Sequence, residues 1–379
     1  MKEIKMVDLI GQYQKIKSEI DAGIQEVIDN ATFIKGPQVK RFEENLAKYL
    51  GAKHVIGCGN GTDALQIAMM ALDLQPGDEV ITPACTYAAT VEVVALLRLT
   101  PVFVEVDEKT FTLDINAVRK AITPRTKAIV PVHLYGQCAH MEPLLEIAQE
   151  HKIYVIEDVA QAIGAEYIFS DGKRMKAGTM GLIGCTSFFP SKNLGCYGDG
   201  GALICNDDTL AEKIRMIANH GQRIQYHFDM VGVNSRLDSI QAAVLDVKLK
   251  YLDEYAAARR RVADFYDEAF SGMPELAVPY RAPYSTHVFH QYTLKIFKGN
   301  RDDLREFLKQ RGIPTMVYYP HPLHLEKAYN PDGKWKKGDF PYSEWHSLNS
   351  VSLPIHTEFD EEVFGYIAQN VKEYFRSLN

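Results

Sequence analysis

Thr186-Ser-Phe-Phe-Pro-Ser-Lys192-Asn-Leu-Gly-Cys-Tyr-Gly-Asp-Gly-Gly201 is the stretch around which the rest of the chain is read. It sets one lysine, Lys192, between a hydroxyl-bearing apolar run (Ser187, Phe188, Phe189) and a glycine cluster (Gly195, Gly198, Gly200, Gly201). Phe and Pro beside an ammonium predict desolvation, which disfavours the charged form. An amine held neutral is a nucleophile, as an enzyme that condenses with carbonyl groups requires. The competing reading is a solvated lysine in a glycine-rich hairpin, since most lysines face water. The remainder of the chain decides between them.

The 379 residues suffice for two domains of ordinary size and a large core. Hydrophobic residues at 46% and charged residues at 24% are the proportions of a globular protein. A formal net charge of -7 argues against nucleic acid as a partner, because that partner needs a basic patch. The local cluster Arg259, Arg260 and Arg261 falls in a helical pattern and is expected to form its solvated face. The cysteines form no C-x-x-C pair and no zinc-type spacing, so no metal is expected, and they read as buried apolar residues in a reducing cytoplasm. The N-terminal M-K-E-I-K-M-V-D-L-I lacks an apolar signal core. The most apolar run, Val91 to Val106, is interrupted by Arg98 and Pro101 and cannot span a bilayer. A cytoplasmic protein with no membrane association is the expectation.

Ile16, Ile20, Ile24 and Val27 or Ile28 recur at helical spacing after Gly11, and a second helix is predicted from Pro37 to Leu50, stopped by Gly51. Strands then alternate with helices. Strands are predicted at His54 to Cys58, Glu79 to Thr82, Pro101 to Val106, Ala128 to Val132 and Ile153 to Ile156. The helices between them are Thr62 to Leu72, Tyr87 to Leu97, Ile115 to Ala121 and Met141 to His151. This alternation predicts a largely parallel sheet covered on both faces. Beyond Lys192 the pattern gives a strand from Ala202 to Cys205, a helix capped by Asp207 or Asp208, an irregular stretch from His220 to Asp238, and one long helix from Ser239 to Phe265. The last part reads as α+β, with strands at Gln291 to Ile296 and near Thr315 to Tyr318, and helices at Arg301 to Gln310 and Glu361 to Phe375. The expected division is a large α/β domain over residues 1–250 and a smaller α+β domain over 251–379.

In open parallel sheets, ligands bind beyond the carboxyl ends of the strands. The unusual residues fall there. Gly59, Gly61 and Thr62 follow the first strand and lead into a helix, where free amides make an anion seat; a plain helix cap is the alternative. Tyr87 follows the second strand, as a ring to stack on a flat ligand or as a packing aromatic. Asp158 ends the strand I-Y-V-I-E-D, with Gln161 one turn on. A buried carboxylate there could keep a pyridine nitrogen protonated, and a turn-forming aspartate is the alternative. An anion seat, a ring, an acid and a lysine on one rim are what pyridoxal 5'-phosphate needs.

G-N-G-T-D-A-L, T-Y-A-A-T, V-I-E-D-V-A-Q-A, the Lys192 stretch and V-N-S-R-L-D-S-I-Q-A-A together resemble the DegT/StrS family of nucleotide-sugar aminotransferases, in the family's order over nearly the whole chain. The resemblance implies the aspartate aminotransferase-like fold type I, with a large α/β domain of mostly parallel mixed sheet and a smaller C-terminal α+β domain. It implies a homodimer with shared sites. It further implies that Lys192 bonds the pyridoxal phosphate, Asp158 faces its ring nitrogen, Tyr87 stacks on it and Gln161 packs against or hydrogen-bonds it. Gly61, Thr62 and Ser187 would hold the phosphate, reached by Asn234 from the neighbouring subunit. Family members with histidine at the lysine position are dehydratases; lysine here implies transamination. The Lys192 stretch and N-H-G-Q...Y-H...V-G-V-N-S-R-L-D are most similar to enzymes that aminate C3 of UDP-2-acetamido-2-deoxy-3-oxo-glucuronate for surface polysaccharides such as the O-antigen of lipopolysaccharide. Glutamate is the implied amino donor and Arg236 the implied partner of the uronate carboxylate. Expected substrate contacts also include His220, Tyr318, Tyr319 and His321. Where such enzymes read V-H-Y-P-x-P-L-H, this chain reads V-Y-Y-P-H-P-L-H, so Tyr318 replaces a histidine and His321 is additional. Amination at C4 of a 4-oxo-6-deoxy sugar and a non-catalytic, cofactor-binding regulator are the alternatives.

Overall fold

Apolar strands flanked by helices bury both faces only if they share one sheet, and the chain builds that sheet between residues 54 and 205. The computed structural model describes residues 3–378; Met1, Lys2 and Asn379, at the outer ends of the two expected domains, lie outside the described residues. Two helices come first, α1 (Leu9–Asp29) and α2 (Pro37–Leu50). There follow β1 (His54–Cys58), α3 (Gly61–Ala71), β2 (Glu79–Pro83), α4 (Ala89–Leu96), β3 (Thr100–Val104), α5 (Ile115–Ala121), β4 (Thr126–Ile129), α6 (Met141–His151) and β5 (Tyr154–Asp158). A hairpin of β6 (Glu166–Ile168) and β7 (Arg174–Lys176) precedes β8 (Ile183–Ser187), β9 (Gly201–Cys205) and α7 (Asp208–Ile217). A short ribbon of β10 (Gln222–Ile224) and β11 (His227–Phe228) leads into α8 (Ser239–Leu249) and α9 (Leu252–Ala269). The chain closes with β12 (Leu276–Ala277), β13 (Tyr292–Ile296), α10 (Arg301–Lys309), α11 (Pro341–Asn349), β14 (Ser350–Leu353) and α12 (Glu361–Ser377).

The main sheet has the order β1-β9-β8-β5-β4-β2-β3. Only β9 runs against the others, pairing antiparallel with both β1 and β8. Alternate residues serve opposite faces. Val80, Ala128 and Ile156 pack with α3, α4 and α7, while Ile81, Ile129 and Val155 pack with α5 and α6. A second sheet, β12-β13-β14, forms its own core with α9, α10 and α12 around Tyr266, Tyr292, Leu304 and Phe364. All six cysteines are buried and unpaired. Among the described residues no helix is long and apolar enough to cross a membrane, and no cluster of three or more His, Cys, Asp or Glu could hold a metal ion.

Several expectations need correction. The long helix after Ser239 is two helices, broken at Lys250 and Tyr251, because α8 packs on α1 and α2 whereas α9 turns its apolar stripe to the second core. The strand near Thr315 is one bridge, Met316 to Ser352; Pro314 offers no amide and the Tyr318 carbonyl is taken by the Tyr135 hydroxyl. The irregular stretch contains the β10-β11 ribbon. The sharpest correction concerns Arg259, expected in water and found 3% exposed. Its Nη1 donates to the carbonyls of Phe289 (3.1 Å), His290 (3.3 Å) and Ile355 (3.0 Å), which a helical pattern alone cannot disclose. Arg259 thereby ties α9 to the segment that enters β13. Arg259→Ala should lower the unfolding free energy by about 3 kcal/mol, about 1 for each buried carbonyl left without a donor, as measured by urea denaturation.

Candidate active site

At the carboxyl ends of β1, β2, β5 and β8 a cavity of about 610 Å³ opens, and Gly61, Thr62, Tyr87, Asp158, Gln161, Ser187, Lys192, Tyr318 and Tyr319 all border it. They come from five separate strand ends or loops, so no single segment could form the site.

The seat at β1 is tight. Asn60 caps α3 by accepting from the Asp63 amide at 2.8 Å, which leaves the amides of Gly61 and Thr62 without an intrahelical acceptor. A Cβ on Gly61 would lie 2.7 Å from the Ser187 Cβ, so only glycine lets that hydroxyl approach the helix end. The Ser235 hydroxyl accepts from the Gly59 amide (2.8 Å) and donates to Asp63 (2.6 Å), fixing the seat from behind. Amides at a helix start with a hydroxyl beside them suit a phosphate dianion.

Asp158 ends β5 and is buried. Its Oδ2 accepts from the Thr90 hydroxyl at 2.9 Å and its Oδ1 from the Ala160 amide at 3.1 Å. Burial pushes the carboxyl up from its ordinary value, against the pull of those bonds and of the Lys192 charge. Glu157, one residue earlier, faces the other way. It accepts from His133 Nε2 (2.8 Å) and from the amides of Gly178 (2.8 Å), Met180 (2.7 Å) and Gly181 (2.5 Å), locking the strand end in register. His133 Nδ1 accepts from the Ala139 amide, so the proton shared with Glu157 sits on Nε2.

Lys192 has no hydrogen-bond partner for its amine among the described residues, and burial lowers its pKa from 10.5 to about 8, with Asp158 opposing. The shelter is not Phe189, which stands 51% exposed at the rim; the cavity walls supply it. The residue is half-buried and borders the cavity. The loop is held by Phe188 and Gly200, paired at 2.7 Å, and by the buried Lys248, whose amine donates to the Gly195 carbonyl at 2.8 Å. Asn193 donates to the Val288 carbonyl (3.0 Å) and accepts from His290 Nδ1 (3.1 Å), so the residue after Lys192 anchors the second core to the cavity. Tyr87 lies two residues before α4 rather than within it, 59% exposed, its ring 5.7 Å from that of Tyr319.

Three expected residues, His220, His321 and Arg236, lie elsewhere, and Asn234, expected from the neighbouring subunit, does not border its own chain's cavity. His220, Asn234 and His321 are exposed, and Arg236 lines a separate cleft of about 610 Å³ with Lys35, Glu43 and Arg215. Sequence reasoning missed Thr90, Glu157, Asn193 and His290. The first three stand inside motifs already quoted, where the side-chain chemistry was the available signal; nothing in residues 279–290 announced His290.

A phosphate seat, a buried acid, a neutralisable amine and an exposed ring on the rim fit pyridoxal phosphate at its phosphate, ring-nitrogen, aldehyde and ring-face ends. The family described as the DegT/DnrJ/EryC1/StrS aminotransferase family matches residues 14–372. The chain is 47% identical to the UDP-2-acetamido-2-deoxy-3-oxo-D-glucuronate aminotransferase of Pseudomonas aeruginosa, over 94% of this chain and 96% of that one. It is 46% identical to a pleiotropic regulatory protein of Geobacillus stearothermophilus, over 98% and 99%. Among solved structures it is similar to S. venezuelae DesV in complex with a ketimine intermediate, with a TM-score of 0.94, 40% identity and 99% of both chains covered. It is also similar to NtdA from Bacillus subtilis with bound cofactor PMP, with a TM-score of 0.87, 31% identity, and 95% and 82% covered.

The lysine makes a testable demand on the apo protein. Its folded pKa of about 8 lies below the 10.5 of a free lysine, so folding disfavours the ammonium. That cost is fully present below pH 8 and vanishes as pH rises through 10.5. Lys192→Met should therefore melt at a higher temperature than the wild type at pH 7, with the gap closing between pH 8 and 10.5 in a thermal denaturation series.

Proposed function

The chain belongs to the DegT/DnrJ/EryC1/StrS aminotransferase family, whose cofactor is pyridoxal phosphate, and from that premise we propose that it aminates C3 of UDP-2-acetamido-2-deoxy-3-oxo-glucuronate with glutamate as donor, for surface polysaccharide synthesis. The observation that carries the transamination reading is one cavity that joins an unpartnered, depressed lysine amine to a buried carboxylate. The sugar reading is supported by the Pseudomonas relative, at 47% identity over most of both chains.

When bound, pyridoxal phosphate supplies an electron sink for the pair released when a bond to carbon breaks. In this reading the Gly61 and Thr62 amides and the Ser187 hydroxyl would hold its phosphate, Tyr87 would cover its ring, and Gln161 would pack against or hydrogen-bond it. Asp158, kept ionisable by its bonds from Thr90 and the Ala160 amide and by the Lys192 charge against the pull of burial, would as a carboxylate hold a proton at the ring-nitrogen end. Lys192 bonds the cofactor at rest. Once freed by the amino donor, its neutral Nζ would carry a proton from the donor's α-carbon to the cofactor carbon it had itself been bonded to, and back again when the oxo-sugar is aminated. An amine with a pKa of about 8 is neutral often enough to do both.

We read residues 1–250 as the cofactor-holding domain and 251–379 as the smaller one, in a cytoplasmic homodimer. Asn234, His220, Arg236 and His321 stand outside their own chain's cavity, and a second copy is the source from which they would reach a site. Arg236 has no ion-pair partner among the described residues, and burial together with Arg236 lowers the pKa of nearby Lys35. An unneutralised cation pair of this kind suits a uronate carboxylate or a diphosphate. Tyr318 and Tyr319 meet the sugar from the same chain.

Incubating the purified, cofactor-loaded protein with glutamate should bleach its yellow absorbance as the cofactor accepts the amino group, and adding the 3-oxo-uronate nucleotide should restore it. Restoration by a 4-oxo-6-deoxy nucleotide sugar instead would move the reaction to C4. A second reading, a regulator that binds the cofactor without turnover, is favoured by the Geobacillus relative's name; it requires that glutamate leave the absorbance unchanged. Asp158→Asn should bind cofactor but turn over about a hundredfold more slowly, the lower end of what a positioned ionisable group contributes. A kcat equal to the wild type's would remove Asp158 from the mechanism.

A further inference from the structure

Tyr135 stands behind the cavity wall, bonded to Gln161 and to the Tyr318 carbonyl, without having any role in the site so far. It sits in the turn Leu134–Gly136 with φ 60°, a left-handed backbone that a bulky side chain rarely adopts, and it is buried. Such a conformation persists where surrounding bonds hold it, and often where function uses it. Two groups of this residue point to the use.

The Tyr135 amide donates to Gln161 Oε1 at 2.7 Å. An N–H can only donate, so that atom of Gln161 is the oxygen, and Nε2 is the one that donates to the Tyr319 hydroxyl at 3.1 Å. Tyr319 accepts there, and its own proton is left for the cavity it borders. Meanwhile the Tyr135 hydroxyl donates to the carbonyl of Tyr318. With its proton so placed, the 2.7 Å bond between Tyr135 Oη and His346 Nε2 has the imidazole as donor. His346 agrees: its Nδ1 has no partner among the described residues, the ring is stacked on Phe111 at 3.6 Å, and burial lowers its pKa to about 3, so it carries a single proton.

We propose that Tyr135 is a positioning residue for the sugar. Its amide, acting through Gln161, aims the Tyr319 hydroxyl proton into the cavity, and its hydroxyl clamps the Tyr318 carbonyl, so the tyrosine pair presents a directed donor to a sugar oxygen. The inference rests on the nucleotide-sugar reading above.

Tyr135→Phe keeps the ring and the amide and removes only the clamp. Its cofactor uptake and its reaction with glutamate should stay within about twofold of wild type, while KM for the 3-oxo-uronate nucleotide rises about tenfold and kcat changes by less than about threefold, the effect of one lost hydrogen bond on substrate binding. Hydrogen exchange of the amides in residues 315–325 should quicken by about tenfold. In a Tyr319→Phe background the same change should add little to KM, because both act through one hydroxyl. Unchanged KM and exchange would overturn the proposal, as would a full additive effect in the double variant or a loss of cofactor uptake, which marks a merely structural role. If Tyr135→Phe does not fold, His346→Ala should give the same changes at about threefold size, since it removes one of two bonds to the hydroxyl, and no change there would overturn it equally. If the wild type converts no oxo-sugar, the substrate reading fails on its own, and the exchange comparison still decides the clamp.

Discussion

A lysine amine and an aspartate carboxyl share one cavity, and the protein is arranged so that neither is satisfied by water. Taking either charge out of water costs on the order of several kcal/mol, and their attraction offsets only part of that. The outcome is written in both groups: the Lys192 pKa falls to about 8 and that of Asp158 rises. Two groups pushed toward their neutral forms are poised to exchange protons with a ligand, and the cavity is where that ligand must sit.

Holding such a pair in place needs a rigid floor. Glu157 provides it by accepting four hydrogen bonds on the face of β5 opposite Asp158, from His133 and three backbone amides. Because neighbouring strand residues point to opposite faces, one dipeptide, Glu157-Asp158, supplies a structural carboxylate and a cavity-facing one. Below the lysine, the Gly195 loop rests on the Lys248 amine, a second buried lysine whose pKa is about 8, here committed to a carbonyl and so unavailable for chemistry. Two lysines with the same depressed value thus differ in role because only one lacks a partner.

The wall facing the sheet comes from far along the chain. Arg259 draws Phe289, His290 and Ile355 together, Asn193 fastens His290 and Val288 to the lysine loop, and Tyr135 fastens Tyr318. These links run through buried polar groups, most of them bonded to main-chain carbonyls, which constrains position more than apolar contact would. The second sheet is therefore part of the site's geometry as well as a separate core.

The sequence alone determined the strand and helix alternation, the extent of α2, α5, α6 and β1, and the identities of Lys192, Asp158, Gly61, Thr62, Ser187, Tyr87 and Gln161 as rim residues. The elements and the strand-end positions follow from short-range causes, namely apolar period, caps and the rule that strand ends carry ligands, while Ser187 entered as what the family resemblance implies. Tertiary structure alone decided the reversed direction of β9, the break at Lys250 and Tyr251, the burial of Arg259, the approach of His290 and Tyr135, and the absence of His220, Arg236 and His321 from their own chain's cavity. Helical period marks Arg259 as polar, yet only the three carbonyls brought to it from residues 289, 290 and 355 explain why it is buried. Contacts across more than a hundred residues leave no local periodicity, so a buried polar partner is invisible until the chain folds and brings it within hydrogen-bond reach.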